Sequence, residues 1–597
     1  MSVSRDTENS APTTRWWDVA PLLGLIGVVP LIVYLQVIPL NATQTAFWDG
    51  TNVNSDFYSY YKACWICIFS FVGFLLFLGS RKPRENRYHV HLALFSLLAI
   101  VSTVFSEYQV HSLIGSMDRH EGLLVLLSYF SATFMAMHLI EDDRWLKILL
   151  IVLMISGFIV AMVGAFQFFD LDFFSSDLGK QLTFPERFHH LIPLFGMNSE
   201  AGSVHSTFPN SNYVGSYIPM VFLLSWSLLL FGGGKVNLVL VPLNLLLFIN
   251  WIGCRSKAGL LGGAIGLLVL FLLCRKRLFS KASTVAFLIA AYLFVAFAMD
   301  YFTLKHPQVL RLFDMFSEQA ITHELKAPLR LEDIQLASDS VQVFTKSGRI
   351  KVELRDKEFT FINCQDLPVP FKYRKNRVIF PESEFREFDV KADPAKKLLQ
   401  IKVDWNVLTF MKTDEGFRVL DGLGRPDTFR KVETWGFEGS ERWGNGRGYV
   451  WSRSFPLLKG TILSGFGPDT FLYYFPQHDY LGRLRSGYPI AMLSDKPHDM
   501  YLQTAINTGI LSLFISIALF WGYLSDSLQL LRRSEFTCFS EQVGAGITAA
   551  ILSYLITGIF NDSTVAVAPV FWVLLGTGIG INQRLMERAE IGNRSST

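Results

Sequence analysis

GRGYVWSRSFPLLKGTILSGFGPDTF at residues 446–471, followed after a polar loop by KPHDMYLQTAINTGILSLF at 496–514, is the stretch around which the chain is organised. It carries Arg447 and Arg453 on a short amphipathic segment, then a Gly-Phe-Gly turn, then His498 at the mouth of an apolar helix that opens near Leu502. On a helix Arg447 and Trp451, four residues apart, share a face, and Arg453 lies off it, so Arg447 is the stronger site candidate of the two. Gly465-Phe466-Gly467 runs into Pro468, which has no N–H to donate, and reads as a tight bend rather than a phosphate cradle.

Outward from this stretch the chain is apolar. Of its 597 residues 50% are hydrophobic and 14% aromatic, gathered in repeated long runs, which is the composition of a polytopic membrane protein and not of one soluble domain. Apolar runs near 19–38, 61–79, 89–105, 122–140, 146–169, 213–231, 236–253, 258–273, 283–302, 503–524, 544–560 and 565–581 predict about twelve helices. The net charge of +3 is too small to imply nucleic acid. Its placement says more. Alternate short loops carry Arg81, Lys82, Arg84 and Arg87, then Arg144 and Lys147, Lys235, Arg275 to Lys281, Arg532 and Arg533, and Arg584 and Arg588. The positive-inside bias puts both termini in the cytoplasm and the long segment 303–502 outside. The expected organisation is a membrane domain at 1–302 with helices 1–9, an extracytoplasmic β-rich insert at 303–445, an extracytoplasmic catalytic loop at 446–502, and helices 10–12 at 503–597.

Residues 330–420 alternate apolar and polar positions, as in Val341-Val343, Ile350-Val352-Leu354, Phe359-Phe361 and Leu399-Ile401-Val403, with turn signals at Ser347-Gly348, Asp393-Pro394 and Glu415-Gly416. That pattern predicts an antiparallel sheet, either a structural cap or a module whose Trp405, Trp435 and Trp443 offer stacking faces to a glycan. Cys64 and Cys67 form a C-x-x-C inside an apolar helix without partner ligands, which fits packing better than metal or redox work.

A few cations fall on the outward side against the charge bias, among them Arg119, Arg255 and Lys257. Charge at that depth is costly unless paired or facing a wet cavity, so these residues, with Arg447 and His498, mark a site. Plainer roles fit the same residues: Arg255 and Lys257 snorkelling to headgroup phosphates, His498 as a boundary residue of its helix, Arg447 paired with an acid of the insert.

Taken together these segments resemble the O-antigen ligase and polymerase family of bacterial membrane glycan transferases. The resemblance lies in Ser206-Thr207-Phe208-Pro209-Asn210-Ser211-Asn212-Tyr213 before a helix, Ser256-Lys257-Ala258-Gly259 between helices, Arg447 with Trp451, Gly465-Phe466-Gly467, and His498-Asp499 opening a segment that runs to Gly509. The loop Gly115 to Gly122, with Arg119, is similar to the family as well. Lys257 stands where the family usually has Arg, with Arg255 two residues earlier, and Asp499 replaces the usual Asn. The β-rich insert is not covered.

The resemblance implies a mainly α, GT-C-like bundle that transfers a glycan from undecaprenyl diphosphate to an acceptor hydroxyl, of a glycan or glycolipid, on the outer face of the cytoplasmic membrane, with inversion at the anomeric carbon. It implies Arg447 and either Lys257 or Arg255 on the diphosphate, Arg119 and Arg453 as further substrate-binding candidates, and His498 as base or acceptor-orienting group, with no metal and no cofactor. A polymerase extending lipid-linked repeat units uses much the same residues. A non-catalytic transporter of a lipid-linked glycan would explain the cations without His498.

Overall fold

Long apolar runs can satisfy their backbone in hydrocarbon only as helices, and helices dominate the chain. The computed structural model describes residues 14–47, 52–194, 203–302 and 331–596, apart from 346–347, 356–357, 382–384, 386–387, 404–405, 422 and 491. Among them, seven helices are long and apolar enough to cross a membrane: Tyr60–Ser80, Asp143–Phe168, Ser211–Phe231, Gly234–Gly253, Ala282–Phe302, Ile510–Arg532 and Phe539–Thr557. The protein is thus a multi-pass membrane protein. Four of the other expected runs are shorter apolar helices, at Trp16–Leu31, Tyr88–Val104, Leu123–Leu139 and Lys257–Leu273, and the last lies in Ala568–Ser596.

Two expected spans are corrected. The run at 19–38 is helical only over Trp16–Gly27; a single turn at Val29–Leu31, opened by Pro30, leads into a strand, Gln36–Pro39, that pairs antiparallel with Val53–Asp56. The run at 503–524 is broken. Met500–Asn507 and Ile510–Arg532 are separate helices, because Gly509 takes φ 106. The carbonyls freed at the break are taken up by the Gly-Phe-Gly bend: Phe466 N–H donates to Ile506 O at 3.0 Å and Gly467 N–H to Asn507 O at 2.9 Å. The bend is a brace for a broken helix.

Ser211–Phe231 is the central helix and almost wholly buried. It begins at Asn210, whose side chain accepts from Asn212 N–H. Lys257–Leu273 begins at Ser256, capped the same way from Gly259 N–H, and the two starts cross so closely that a Cβ on Gly259 would run into the Gly215 carbonyl. The end of Phe539–Thr557 joins them through Thr557 Oγ1 donating to Ala258 O at 3.3 Å. Three helix ends therefore meet beneath one patch of loops.

Between the membrane helices, strands occupy residues 331–427 in two antiparallel meanders, one of four strands from Leu331–Leu336 to Glu358–Ile362 and one of seven from Lys372–Arg374 to Pro426–Asp427. Alternate residues such as Val341, Val343, Ile350, Val352, Leu399, Ile401, Phe417 and Val419 form one apolar core, and Tyr480 and Leu484 of the helix Tyr480–Ser486 pack into it. That helix ties the strands to the loop bearing His498. Trp405 and residues 303–330 lie outside the described residues.

A methyl group on Gly465 would collide with the backbone carbonyl of Asn507. Gly465→Ala should destabilise the protein by about 2 kcal/mol or more, read as a lower midpoint of thermal unfolding in detergent. Gly233→Ala, where the added carbon meets nothing within 4 Å, should leave the midpoint unchanged.

Candidate functional site

The loops above the three helix ends enclose a cavity of about 320 Å³, walled by Asp56, Tyr58, Asp118, Arg119, Asn210, Asn212, Tyr213, Arg447, Asp495, His498, Asn561 and Asp562 among others. They come from several separate places in the fold. Asp56 ends the short hairpin, Arg119 sits in the loop before helix Leu123–Leu139, and Asn210 to Tyr213 open the central helix. His498 precedes the short helix Met500–Asn507, and Asn561 and Asp562 follow Phe539–Thr557.

His498 takes the left-handed backbone conformation, φ 55, and its Nδ1 lies 3.0 Å from Asp562 Oδ2. The imidazole is 32% exposed and the carboxylate behind it 1%, so the acid is buried and the ring faces the cavity. With Nδ1 held, Nε2 is the nitrogen left for chemistry. Tyr213 Oη also donates to Asp562 Oδ2, at 3.4 Å, and accepts from Arg119 Nη1 at 2.6 Å, while Arg119 Nε donates to Asp495 Oδ2 at 2.6 Å. One chain of contacts thus runs Asp495, Arg119, Tyr213, Asp562, His498. Burial alone would raise the Asp562 carboxyl, but His498, Arg119 and Lys496 outweigh it and hold the group well below the usual carboxylate range. Asp562 is therefore a fixed negative charge behind the ring.

Arg447 lines the same cavity and is anchored on Phe560 and Asn561, the two residues before Asp562. Its helix turns regular only after Gly444, Asn445 and Gly446, all in the left-handed region. Nε and Nη2 donate to Phe560 O at 2.9 and 2.7 Å, Nη1 to Gly444 O at 2.9 Å, and Nη2 reaches Asn561 Oδ1 at 3.4 Å. No carboxylate among the described residues pairs with it. Burial lowers the guanidinium from its ordinary value, which only means a positive charge kept without a salt-bridge partner. Trp451, on the same face, donates Nε1–H to Pro497 O at 2.8 Å and stacks on Phe560.

Beneath the cavity lies a buried ionic knot. Lys496 Nζ contacts Glu121 Oε2 at 2.9 Å, Ser563 O at 3.0 Å and Asp469 Oδ1 at 3.9 Å. Glu121 also accepts from Gln503 Nε2, Tyr129 Oη and Ser563 Oγ, and Asp469 Oδ2 accepts the backbone N–H groups of Ser116 and Glu121. Burial would lower the Lys496 ammonium, but Glu121 and Asp469 raise it above its ordinary value. Arg119 is two residues from Glu121, His498 two from Lys496, and Asp562 adjacent to Ser563.

Of the residues expected from sequence, His498, Arg447 and Arg119 share the cavity wall. Arg453 does not: it is buried with Nε 2.9 Å from Asp479 Oδ2 and its guanidinium over the Tyr449 ring, on the side of the helix away from Arg447. Lys257 and Arg255 are not on the wall either. Lys257 is exposed at the first position of its helix, and Arg255, at φ 55, belongs to the turn whose next residue, Ser256, packs on Gly215. Asp562, Asp495 and Asp56 carry no motif in the sequence, and Tyr213 enters there only as the last residue of the Ser206–Tyr213 segment. The signal for Asp562 was Asn561-Asp562 in a short polar break between two apolar runs. Among the described residues no group of three or more His, Cys, Asp or Glu is placed to hold a metal ion. Comparison of the chain with models of known families, with curated proteins and with solved structures found no match.

Glu121→Gln would leave the Lys496 ammonium buried with its main partner gone and should cost about 3–5 kcal/mol, measured by unfolding in detergent. Asp499 is the N-cap of Met500–Asn507, accepting from Tyr501 and Leu502 N–H, and burial pushes its carboxyl up to about 6. A carboxyl raised on folding weakens the fold as pH climbs from about 4 to about 6. Asp499→Asn keeps the cap and should stabilise the protein by roughly 1–2 kcal/mol at pH 8, with the gain vanishing at pH 4.

Proposed function

We propose that this cavity transfers a glycan from undecaprenyl diphosphate to an acceptor hydroxyl. The observation that carries the reading is the imidazole of His498, backed by buried Asp562 and lining the same cavity as the guanidinium of Arg447, which no carboxylate among the described residues pairs with. The resemblance to O-antigen ligases includes His498 and Arg447 among its residues.

The acceptor O–H gives its proton to His498 Nε2 as its oxygen attacks the anomeric carbon. The carbon to diphosphate bond breaks, and its electron pair leaves with the diphosphate. Asp562 stabilises the imidazolium as it forms and fixes which ring nitrogen takes the proton. Arg447 meets the charge that develops on the departing diphosphate, with a planar fork suited to two phosphate oxygens. One displacement inverts the anomeric centre. Arg119 is held by Asp495 and Tyr213 and so acts on substrate through the positions of Asp562 and His498. Lys257, exposed and absent from the cavity wall, suits lipid phosphate outside the cavity better than the diphosphate within it.

The reading places twelve crossings in the cytoplasmic membrane, the first made by Trp16–Leu31 and the tenth by Ile510–Arg532, with termini inside and the strands and cavity outside, as the distribution of Lys and Arg favours. It needs no divalent ion.

Purified protein given lipid-linked glycan and acceptor should release undecaprenyl diphosphate, and should do so in EDTA. His498→Ala should slow turnover by about 10²–10⁴-fold, Asp562→Asn should slow it by at least about tenfold with binding retained, and Arg447→Lys should not restore what Arg447→Ala loses. Full turnover by His498→Ala would sink the proposal.

A further inference from the structure

Trp435 and Trp443 lie on the segment that joins the last strand to the Arg447 helix, and they stand 64% and 50% exposed. Both belong to one shelf of rings. Trp443 lies 5.9 Å from Phe437, 5.6 Å from Trp451 and 6.3 Å from Phe560, while Phe437 stacks on Phe455 at 6.5 Å and Trp435 meets Phe455 edge-on at 6.3 Å. Trp451 is buried behind the shelf, so Trp443 and Trp435 are the rings it presents.

The shelf ends where the cavity begins. The Phe560 ring faces Trp443, its carbonyl takes two N–H groups of Arg447, and the next residue, Asn561, is cavity wall. Gly444, Asn445 and Gly446 take φ 64, 59 and 84 in succession, a left-handed run that glycine adopts freely and Asn more readily than other residues, and Arg447 Nη1 closes the turn on Gly444 O. Such a turn fixes the distance from indole to guanidinium.

Exposed Glu438 and Asn445 flank the rings. A pyranose, with one face of C–H groups and a rim of hydroxyls, matches a ring face edged by polar groups. Aliphatic surface suited to lipid lies elsewhere, at Ile462 and Leu463, beside Thr461, whose carbonyl accepts Ile510 N–H at the start of a membrane helix.

We infer that Trp443, extended by Phe437 and Trp435, is a carbohydrate-binding subsite that holds the donor glycan beside the diphosphate position at Arg447. The inference rests on the function proposed above and adds to it where the sugar lies. It is tested on the full-length protein in nanodiscs with two probes, undecaprenyl diphosphate alone and lipid-linked glycan extracted from the cells that make the protein.

Trp443→Ala should weaken binding of the glycan-bearing lipid about tenfold and leave the bare lipid unchanged, and Trp443→Phe should recover most of the loss. Trp435→Ala should weaken only the glycan-bearing lipid, by about two- to threefold. Unchanged affinity of Trp443→Ala for the glycan-bearing lipid overturns the inference alone. Equal weakening of both probes also overturns it, since Trp443 would then act only by bracing Arg447. Wild-type protein that binds neither probe overturns the proposed function, and the subsite with it.

Discussion

A single ammonium, Lys496, 1% exposed, is the constraint from which the site is hung. A charge so deep is tolerable only if its partners stay in place, and here they are supplied by distant parts of the chain: Glu121 before one helix, Asp469 after the Gly-Phe-Gly bend, and the Ser563 carbonyl after another helix. Because Arg119, His498 and Asp562 each lie within two residues of a member of this knot, the energy that holds the knot also sets the cavity. The desolvation cost of the pair is the reason it specifies position well: a shifted loop would strand a charge.

The broken helix serves the same end. An unbroken run from Met500 to Arg532 would have carried its own carbonyls and left the bend at Gly465 with nothing to pair. Interrupted at Gly509, it offers Ile506 and Asn507 carbonyls to that bend, and Asp469 is delivered two residues beyond it. The short segment Met500–Asn507 points its capped start, Asp499, toward the cavity and places His498 just outside the helix in a conformation that no helical residue adopts. Packing, backbone strain and the ionic knot therefore agree on where the imidazole sits.

Much of this was readable beforehand because it rests on period and on chemistry-bearing side chains in unusual places. Alternation in 330–420 is a local property, and the strands follow it; apolar runs are local too, and seven of the expected runs hold helices long and apolar enough to cross a membrane, while 19–38 ends in a strand and 503–524 breaks at Gly509. His498 and Arg447 could be singled out because charge at a membrane boundary needs a reason. What was hidden depends on pairing across hundreds of residues. Nothing near Asp562 says that its partner is His498, and nothing near Arg453 says that Asp479 will hold it away from the cavity that Arg447 lines. Arg255 and Lys257 share that difficulty: a cation at a helix start looks the same from sequence whether a cavity or the lipid lies in front of it.

The scatter of the cavity wall along the chain sets an order of assembly. Arg119 and Glu121 are made early, while Asp562 and Ser563 follow on the order of 400 residues later, an interval of roughly half a minute or more at ordinary rates of synthesis. Throughout that time the first loop waits at the bilayer edge without the groups that neutralise it, and the strands of 331–427 must fold in between. A ribosome stalled short of the final two helices leaves a polypeptide in which Lys496 lacks the Ser563 carbonyl and His498 lacks Asp562, with unpaired charge in place of a closed cavity, which is the kind of defect that membrane quality control can detect.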